Sequence, residues 1–352
     1  MKSIPLTESR RIGEGEPCFV IAEAGSNHNR DFALAQKLIE VAAQAGADCV
    51  KFQVFTADKI YSKKTPKMSY LKEKQLTQES ETVYDLIKKL ELPREWLPDL
   101  QAYSREQGII FSATPFDLEA VDLLAKLDVP FYKVASFEIT HLPLLRHISC
   151  TGKPIILSTG MASLADIERA LEAIAQAGSS EVILLHCAIN YPPAYEDIHL
   201  RALDTLRRAF EVPVGFSDHT LDSVCPIAAV ALGACVIEKH YTVDRSLPGP
   251  DHPFAMEPAQ LREMIDSIRK TEKALGRGLK RHTAAETELH RLARRSLVAA
   301  CDIPAGTTIT AAMLEVKRPG FGIPTHLMDL VIGRTARVNI AADDILSWDM
   351  IG

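Results

Sequence analysis

The sequence has no surplus of positive charge, no paired-cysteine motif and no apolar run long enough to cross a bilayer, and each absence removes a class of function. Its 352 residues carry 40 Lys and Arg against 46 Asp and Glu, a formal net charge of -6. Such a chain has no basic field to hold nucleic acid or an anionic membrane, so any anionic ligand must meet a local cluster of cations. The expected partner is a small molecule, with no nucleic acid and no membrane. The seven cysteines are odd in number, include no C-x-x-C pair and mostly fall in apolar strand or helix patterns, so they read as reduced core residues. The longest apolar stretch, around Ile227 to Ile237, is too short for a membrane span. The polar start MKSIPLTESRRIGEGE lacks the apolar core of a signal peptide, which points to the cytoplasm. No G-x-G-x-x-G follows the first expected strand, which weakens an open doubly wound dinucleotide-binding sheet as the fold.

What the chain does have is a repeated strand-helix rhythm. Runs rich in β-branched and aromatic residues recur at 18–25, 49–55, 109–116, 131–136, 154–160, 182–188, 213–220 and 235–242. Helical patterns such as DFALAQKLIEVAAQAGAD, SLADIERALEAIAQAG and DSVCPIAAVALGA separate them, each ending near a glycine. Eight such units in residues 1–275 match the size of a (β/α)8 TIM barrel, whose strands, buried on both faces, read as nearly continuous apolar runs. Residues 276–295 are charged and read as a linker. From Ser296 to Gly352 the chain reads as short strands and tight turns, an independent module with a small core.

Polar residues collect at the C-terminal ends of the strands, where active sites of such barrels lie. They are Glu23, Lys51 and Gln53, Thr114, Lys133 and Ser136, then His186, Asn190 and Tyr191, and finally Ser217, Asp218, His219, Glu238, Lys239 and His240. His219 and His240 end consecutive strands, so two imidazoles can converge on one metal ion. Lys51 and Lys133, with the hydroxyls of Thr114, Ser136 and Ser217, can bind a phosphate and a carboxylate. Lys133 could instead form a Schiff base, as in covalent aldolases. Two histidines with oxygen ligands leave manganese, magnesium, cobalt and zinc all open.

The segments FVIAEAGSNHN, GADCVKFQ, TPFD, PIILSTGMAS, LLHC followed by NYP, VGFSDHT, VIEKHYT, LPGPDH and VKRPGFGI resemble, in order and spacing, the sialic acid synthase family. That family includes the N-acetylneuraminate, legionaminate and pseudaminate synthases. The resemblance implies a TIM barrel followed by a small antifreeze-like (SAF) domain. It also implies condensation of phosphoenolpyruvate with an N-acylated amino sugar, N-acetylmannosamine in the sialic acid case, with loss of phosphate. By the same resemblance His219 and His240 hold a divalent metal, Mn2+ first and Mg2+ or Co2+ next, that activates the open-chain aldehyde. Lys51, Lys133, Thr114, Ser136 and Ser217 grip phosphoenolpyruvate. Glu23 and Asp251 activate water or bind sugar hydroxyls, Gln53 and Tyr191 line the sugar site, and loop residues 56–80 meet the far end of the sugar. Arg318 contacts the sugar's acyl group in the other subunit's barrel, which implies a domain-swapped homodimer.

Several positions depart from the family pattern. Ala135 and Phe137 flank Ser136 where relatives often carry glycine, Ile189 replaces a polar residue, and Arg30 replaces a glycine, with Asn27 and His28 expected to shape the entry to the first helix. These departures leave the reaction class intact and open the sugar specificity. A carbohydrate-binding barrel without catalysis is the non-enzymatic alternative.

Overall fold

A computed structural model describes residues 3–66, 82–178 and 181–352. The chain divides into two compact units, Met1–Gly276 and Arg277–Gly352.

The first unit is a barrel of eight parallel strands. A short antiparallel hairpin, β1 (Ile4–Pro5) and β2 (Arg11–Ile12), precedes β3 (Phe19–Gly25), β4 (Cys49–Val54), β5 (Ile110–Pro115) and β6 (Tyr132–Val134). Then come β7 (Ile155–Ser158), β8 (Val182–Cys187), β9 (Val214–Asp218) and β10 (Val236–His240). All eight expected strands are present, hydrogen-bonded in the order β5-β4-β3-β10-β9-β8-β7-β6. The remaining seam is bridged where Ser112 Oγ donates to the Phe131 carbonyl at 3.1 Å.

Strand pleating sorts side chains into two cores. Phe19, Ile21, Cys49, Phe131, Ile156, Ile183, Leu185 and Val236 pack inside the barrel, and Ile4, Leu6 and Ile12 of the hairpin segment join them as a plug. Their strand neighbours, such as Val20, Val50, Leu157, Leu184, Phe216 and Ile237, face the helices in the larger core. The inward parity, continued past the apolar layer to the strand ends, selects Glu23, Lys51, Gln53, Thr114, Lys133, Ser158, Cys187, Ser217, His219, Glu238 and His240.

The helices begin where the sequence supplies caps. Asp31 Oδ1 accepts from the Ala33 and Leu34 amides to start Phe32–Ala45, so Asp31 rather than Asn27 or His28 shapes that entry. Ser163 and Asp166 form a reciprocal capping box ahead of Leu164–Gln176. No helix among the described residues is long and apolar enough to cross a membrane.

The second unit holds its own core of Leu297, Ile303, Ile309, Ile323, Val331, Ile340, Leu346 and Ile351. Its only ladder of named strands among the described residues pairs β11 (Ser296–Ala299) antiparallel with β12 (Leu314–Lys317). Residues 277–295 belong to this unit: the Arg291 carbonyl accepts from the Gly320 amide at 2.9 Å and Arg291 lies over the Phe321 ring.

Candidate active site

The polar inward layer sits at the C-terminal mouth of the barrel, and its centre is a buried four-charge network. Lys51 Nζ lies 2.6 Å from Glu23 Oε2 and 3.9 Å from Glu238 Oε2, and donates to Thr114 Oγ1 at 2.8 Å. Lys133 Nζ lies 3.4 Å from Glu238 Oε1, which also accepts from Ser217 Oγ at 3.1 Å. Gln53 donates to Glu23 Oε1 at 2.7 Å. All four charged side chains are at most 6% exposed, so water does little to stabilise them and each depends on its neighbours.

Those neighbours set the ionisation states. Burial pushes Glu23 up, and Lys51 only partly opposes it. Burial also acts on Glu238, but Lys133 and Lys51 outweigh it and hold that carboxylate low. Burial pulls Lys133 down, while for Lys51 the two carboxylates overcome burial and keep the ammonium charged. A cluster of two ammoniums and two carboxylates has no net charge, and protonation of Glu23 turns it into a net cation. Burial, which raises Glu23, makes it the carboxylate of this cluster that protonates first as the pH falls.

Beside this network stand the two imidazoles, their ring centroids 5.3 Å apart. His219 Nδ1 meets the Ala188 carbonyl at 3.0 Å; with the proton on Nδ1, the Nε2 lone pair is free. His240 is kept neutral far below the ordinary imidazole range by burial and by the nearby His219 and Lys51. Its Nδ1 is buried with no hydrogen-bond partner among the described residues. An orphaned buried nitrogen of this kind fits a metal ligand, and two imidazoles with nearby oxygen donors suit a divalent ion.

Tyr191 packs edge-on against His219, centroids 4.5 Å apart. Asp251, partly buried and with its pKa raised by desolvation, accepts from Ser26 Oγ at 2.9 Å. A Cβ placed on Gly25, whose φ is +53°, would come within 3.1 Å of Asp251 Oδ2 and 3.4 Å of His240 Cε1. The left-handed backbone, with a carboxylate and an imidazole close by, favours glycine there. Ser136 Oγ accepts from the Gly160 amide at 3.0 Å, and the Ile189 side chain packs so closely on Gly160 that a Cβ there would sit 2.4 Å from it.

Eleven of the residues expected from sequence therefore lie on the strand ends or adjoining loops of one mouth: Glu23, Lys51, Gln53, Thr114, Lys133, Ser136, Tyr191, Ser217, His219, His240 and Asp251. Arg318 lies in the second unit, exposed, with Nε donating to the Ala293 carbonyl at 2.7 Å. Of the loop 56–80 expected to meet the sugar, residues 67–80 fall outside the described residues.

Three polar residues named for the mouth lie on the other face of their strands. Asp218 and Lys239 pair with each other on the helix side at 2.5 Å, and His186 stacks on Phe216 while meeting the Ile198 carbonyl at 2.6 Å. Conversely, sequence reasoning gave no role to Glu238, which bridges both lysines, to Ser158, whose buried Oγ has no partner among the described residues, or to Phe254, 5.2 Å from the His240 ring. Inward parity identifies the first two. Phe254 lies in the turn His252–Phe254, where no periodicity marks it.

A separate cavity, about 1140 Å³, opens among the N-terminal ends of β3, β9 and β10. Its charges already neutralise one another: Arg10 pairs with Asp48, and Arg269 with Asp48 and Glu272. The mouth, with its strained ionisation states, is the better candidate for chemistry.

Residues 38–280 match the NeuB family, and residues 294–352 match the SAF domain. The chain belongs to the NeuB family, that of the sialic acid synthases. Among its relatives, an N,N'-diacetyllegionaminic acid synthase of Campylobacter jejuni is 42% identical over 93% of this chain and 98% of its own length. The N-acetylneuraminate-9-phosphate synthase of Mus musculus is 35% identical over 99% and 96%. An N-acetylneuraminic acid synthetase structure from Leptospira borgpetersenii superposes with a TM-score of 0.73 at 35% identity, covering 82% of this chain and 95% of that one. The barrel and SAF domain of this NeuB chain thus share their architecture with enzymes of nonulosonic acid synthesis.

Proposed function

We propose that this protein condenses phosphoenolpyruvate with the open-chain form of an N-acylated amino sugar and water, releasing phosphate and forming a 2-keto nonulosonic acid. The observation that carries this reading is the placement of a buried two-lysine, two-carboxylate pocket beside a pair of imidazoles. Lys51 and Lys133, with Thr114, Ser136 and Ser217, hold the phosphate and carboxylate as charged and neutral donors. His219 and His240 hold a divalent ion, Mn2+ first and Mg2+ or Co2+ next. When bound, such an ion acts as a Lewis acid toward the sugar aldehyde. The phosphoenolpyruvate methylene carbon attacks that aldehyde, water adds at the ester carbon, and phosphate leaves. Glu23, raised by burial, or Asp251 moves the proton from that water. Gln53 and Tyr191 line the sugar site, and Arg318 of a domain-swapped homodimer reaches the acyl group.

N-acetylmannosamine, giving N-acetylneuraminate, is the leading sugar. A second reading, N,N'-diacetyllegionaminate synthesis, is favoured by the relatives that carry that name, at 40 and 42% identity against 33 to 35% for the N-acetylneuraminate-9-phosphate synthases. The test is phosphate release from phosphoenolpyruvate with a panel of amino sugars and metals, after chelation and without sugar as controls. Sugar-dependent release restored by Mn2+ is expected, abolished in His240→Ala and shifted mainly in sugar KM in Arg318→Ala. The reading fails if no amino sugar stimulates release with any divalent ion. A borohydride-trapped substrate adduct on Lys133 would instead support Schiff-base chemistry.

A further inference from the structure

His219 lies between two residues tied to one buried ammonium. Lys239, 1% exposed, projects from β10 between the inward-facing Glu238 and His240, on the opposite face of the strand. Its Nζ donates to Asp218 Oδ2 at 2.5 Å, to the Thr220 carbonyl, and to the Asp222 carbonyl at 3.2 Å. An ammonium has three hydrogens, and these three acceptors use them all. Asp218, also 1% exposed, further accepts from the Thr220 amide at 3.1 Å and the Thr220 hydroxyl at 2.8 Å. The residues immediately before and after His219 are therefore fastened to each other and, through Lys239, to the strand that carries His240.

From this geometry we infer that Lys239 and Asp218 are positioning residues for the imidazole pair: the clip they form across β9 and β10 holds His219 at the distance from His240 that a shared divalent ion requires. This inference rests on the metal assignment proposed above. The clip touches neither imidazole and acts through the backbone of the turn. Swinging His219 away requires turning the 218–222 backbone, which would strip acceptors from a lysine that has no access to water, and a buried charge resists that strongly. The Nδ1 contact with the Ala188 carbonyl at 3.0 Å fixes the ring's tilt, while the clip fixes where the ring begins.

The test measures Mn2+ affinity of the full-length, chelator-treated protein by electron paramagnetic resonance of the free ion, which is independent of turnover. The variants are Asp218→Asn, Lys239→Met and, as a matched control, Ile174→Ala, a buried residue of Leu164–Gln176 remote from the histidines in sequence. Circular dichroism verifies folding at the assay temperature. Asp218→Asn and Lys239→Met are expected to weaken Mn2+ binding by about tenfold or more, the range seen when supporting groups behind metal ligands are lost. Ile174→Ala, with a comparable loss of Tm, is expected to stay within about twofold of wild type. Phosphoenolpyruvate binding to the metal-free protein, by calorimetry, should change far less than Mn2+ affinity in Asp218→Asn because Lys51 and Lys133 lie on the other face of the sheet. Wild-type Mn2+ affinity in folded Asp218→Asn, or an equal loss in the control, overturns the inference. If wild type itself binds no divalent ion, the metal assignment falls and this inference with it. If wild type binds and the variants bind equally, only the inference falls.

Discussion

Replacing Glu238 by glutamine preserves shape and removes the charge between the two lysines, and its cost can be worked from the distances. Lys51 retains Glu23 at 2.6 Å, but Lys133 loses the carboxylate at 3.4 Å and keeps the Val134 carbonyl at 3.1 Å. The lost attraction is about 5 kcal/mol at an effective dielectric of about 20. Leaving a buried cation unpaired costs about 3–5 kcal/mol net, a large share of the roughly 5–15 kcal/mol that stabilises a domain. The variant can escape part of this by releasing the Lys133 proton. Burial already holds that ammonium below its ordinary value, and without Glu238 it falls further. A lysine with a depressed folded pKa binds fewer protons folded than unfolded between the two values, so stability rises with pH across that window. The window opens lower in Glu238→Gln than in wild type. The stability gap should therefore be largest near neutrality and narrow as the solution becomes alkaline. Urea unfolding followed by Trp96 fluorescence in a Trp348→Phe background reads the barrel alone, because the two tryptophans lie in different units. A gap below about 1 kcal/mol at neutral pH, where buried pairs should cost several, or a gap that widens with pH, would refute the reasoning.

Two further outcomes follow from buried groups. His28 is fully buried, its Nδ1 accepts from the Arg30 amide at 3.0 Å, and desolvation, with Arg30 adding to it, pushes its pKa down to about 4 from an ordinary 6.5. The stability of the neutral ring is complete above the ordinary value and lost as pH falls through it toward the depressed one, about 2 kcal/mol at roughly pH 5. His28→Asn should flatten the acid side of a Tm-against-pH curve, and an unchanged slope would contradict this assignment. Gly215 lies inside the barrel, where an added Cβ would sit 2.5 Å from the Val236 carbonyl oxygen and 2.7 Å from Leu185 Cδ2. Gly215→Ala should cost about 1–3 kcal/mol by overpacking, and an unaltered Tm would show that the strands can spread.

Much of this was legible in the chain. Strand positions came from β-branched runs and the histidine pair from its place at two successive strand ends, whereas the entry to the first helix fell to Asp31 and not to Asn27 or His28. The N-terminal plug was not, because MKSIPLTESRRIGEGE looks polar while its few apolar residues, Ile4, Leu6 and Ile12, gain meaning only against the open end of a barrel. Ser158 and Glu238 were within reach of a parity argument, whereas Phe254 was not, since it sits in an irregular turn that only long-range folding brings to His240. Asp218, Lys239 and His186 share the strand ends but not the mouth, because successive side chains there face opposite sides of the sheet.

By itself the sequence determined the number and order of the barrel strands, the identity of the charges near their ends, and the family to which their motifs belong. Each of these is local, written in periodicity and in short segments. Which side of each strand faces inward was decided only by closure of the sheet, because strands buried on both faces are apolar on both and composition cannot tell barrel interior from helix layer. Closure alone also decided that Glu238 bridges Lys51 and Lys133, leaving Lys239 to reach across to Asp218 on the other side.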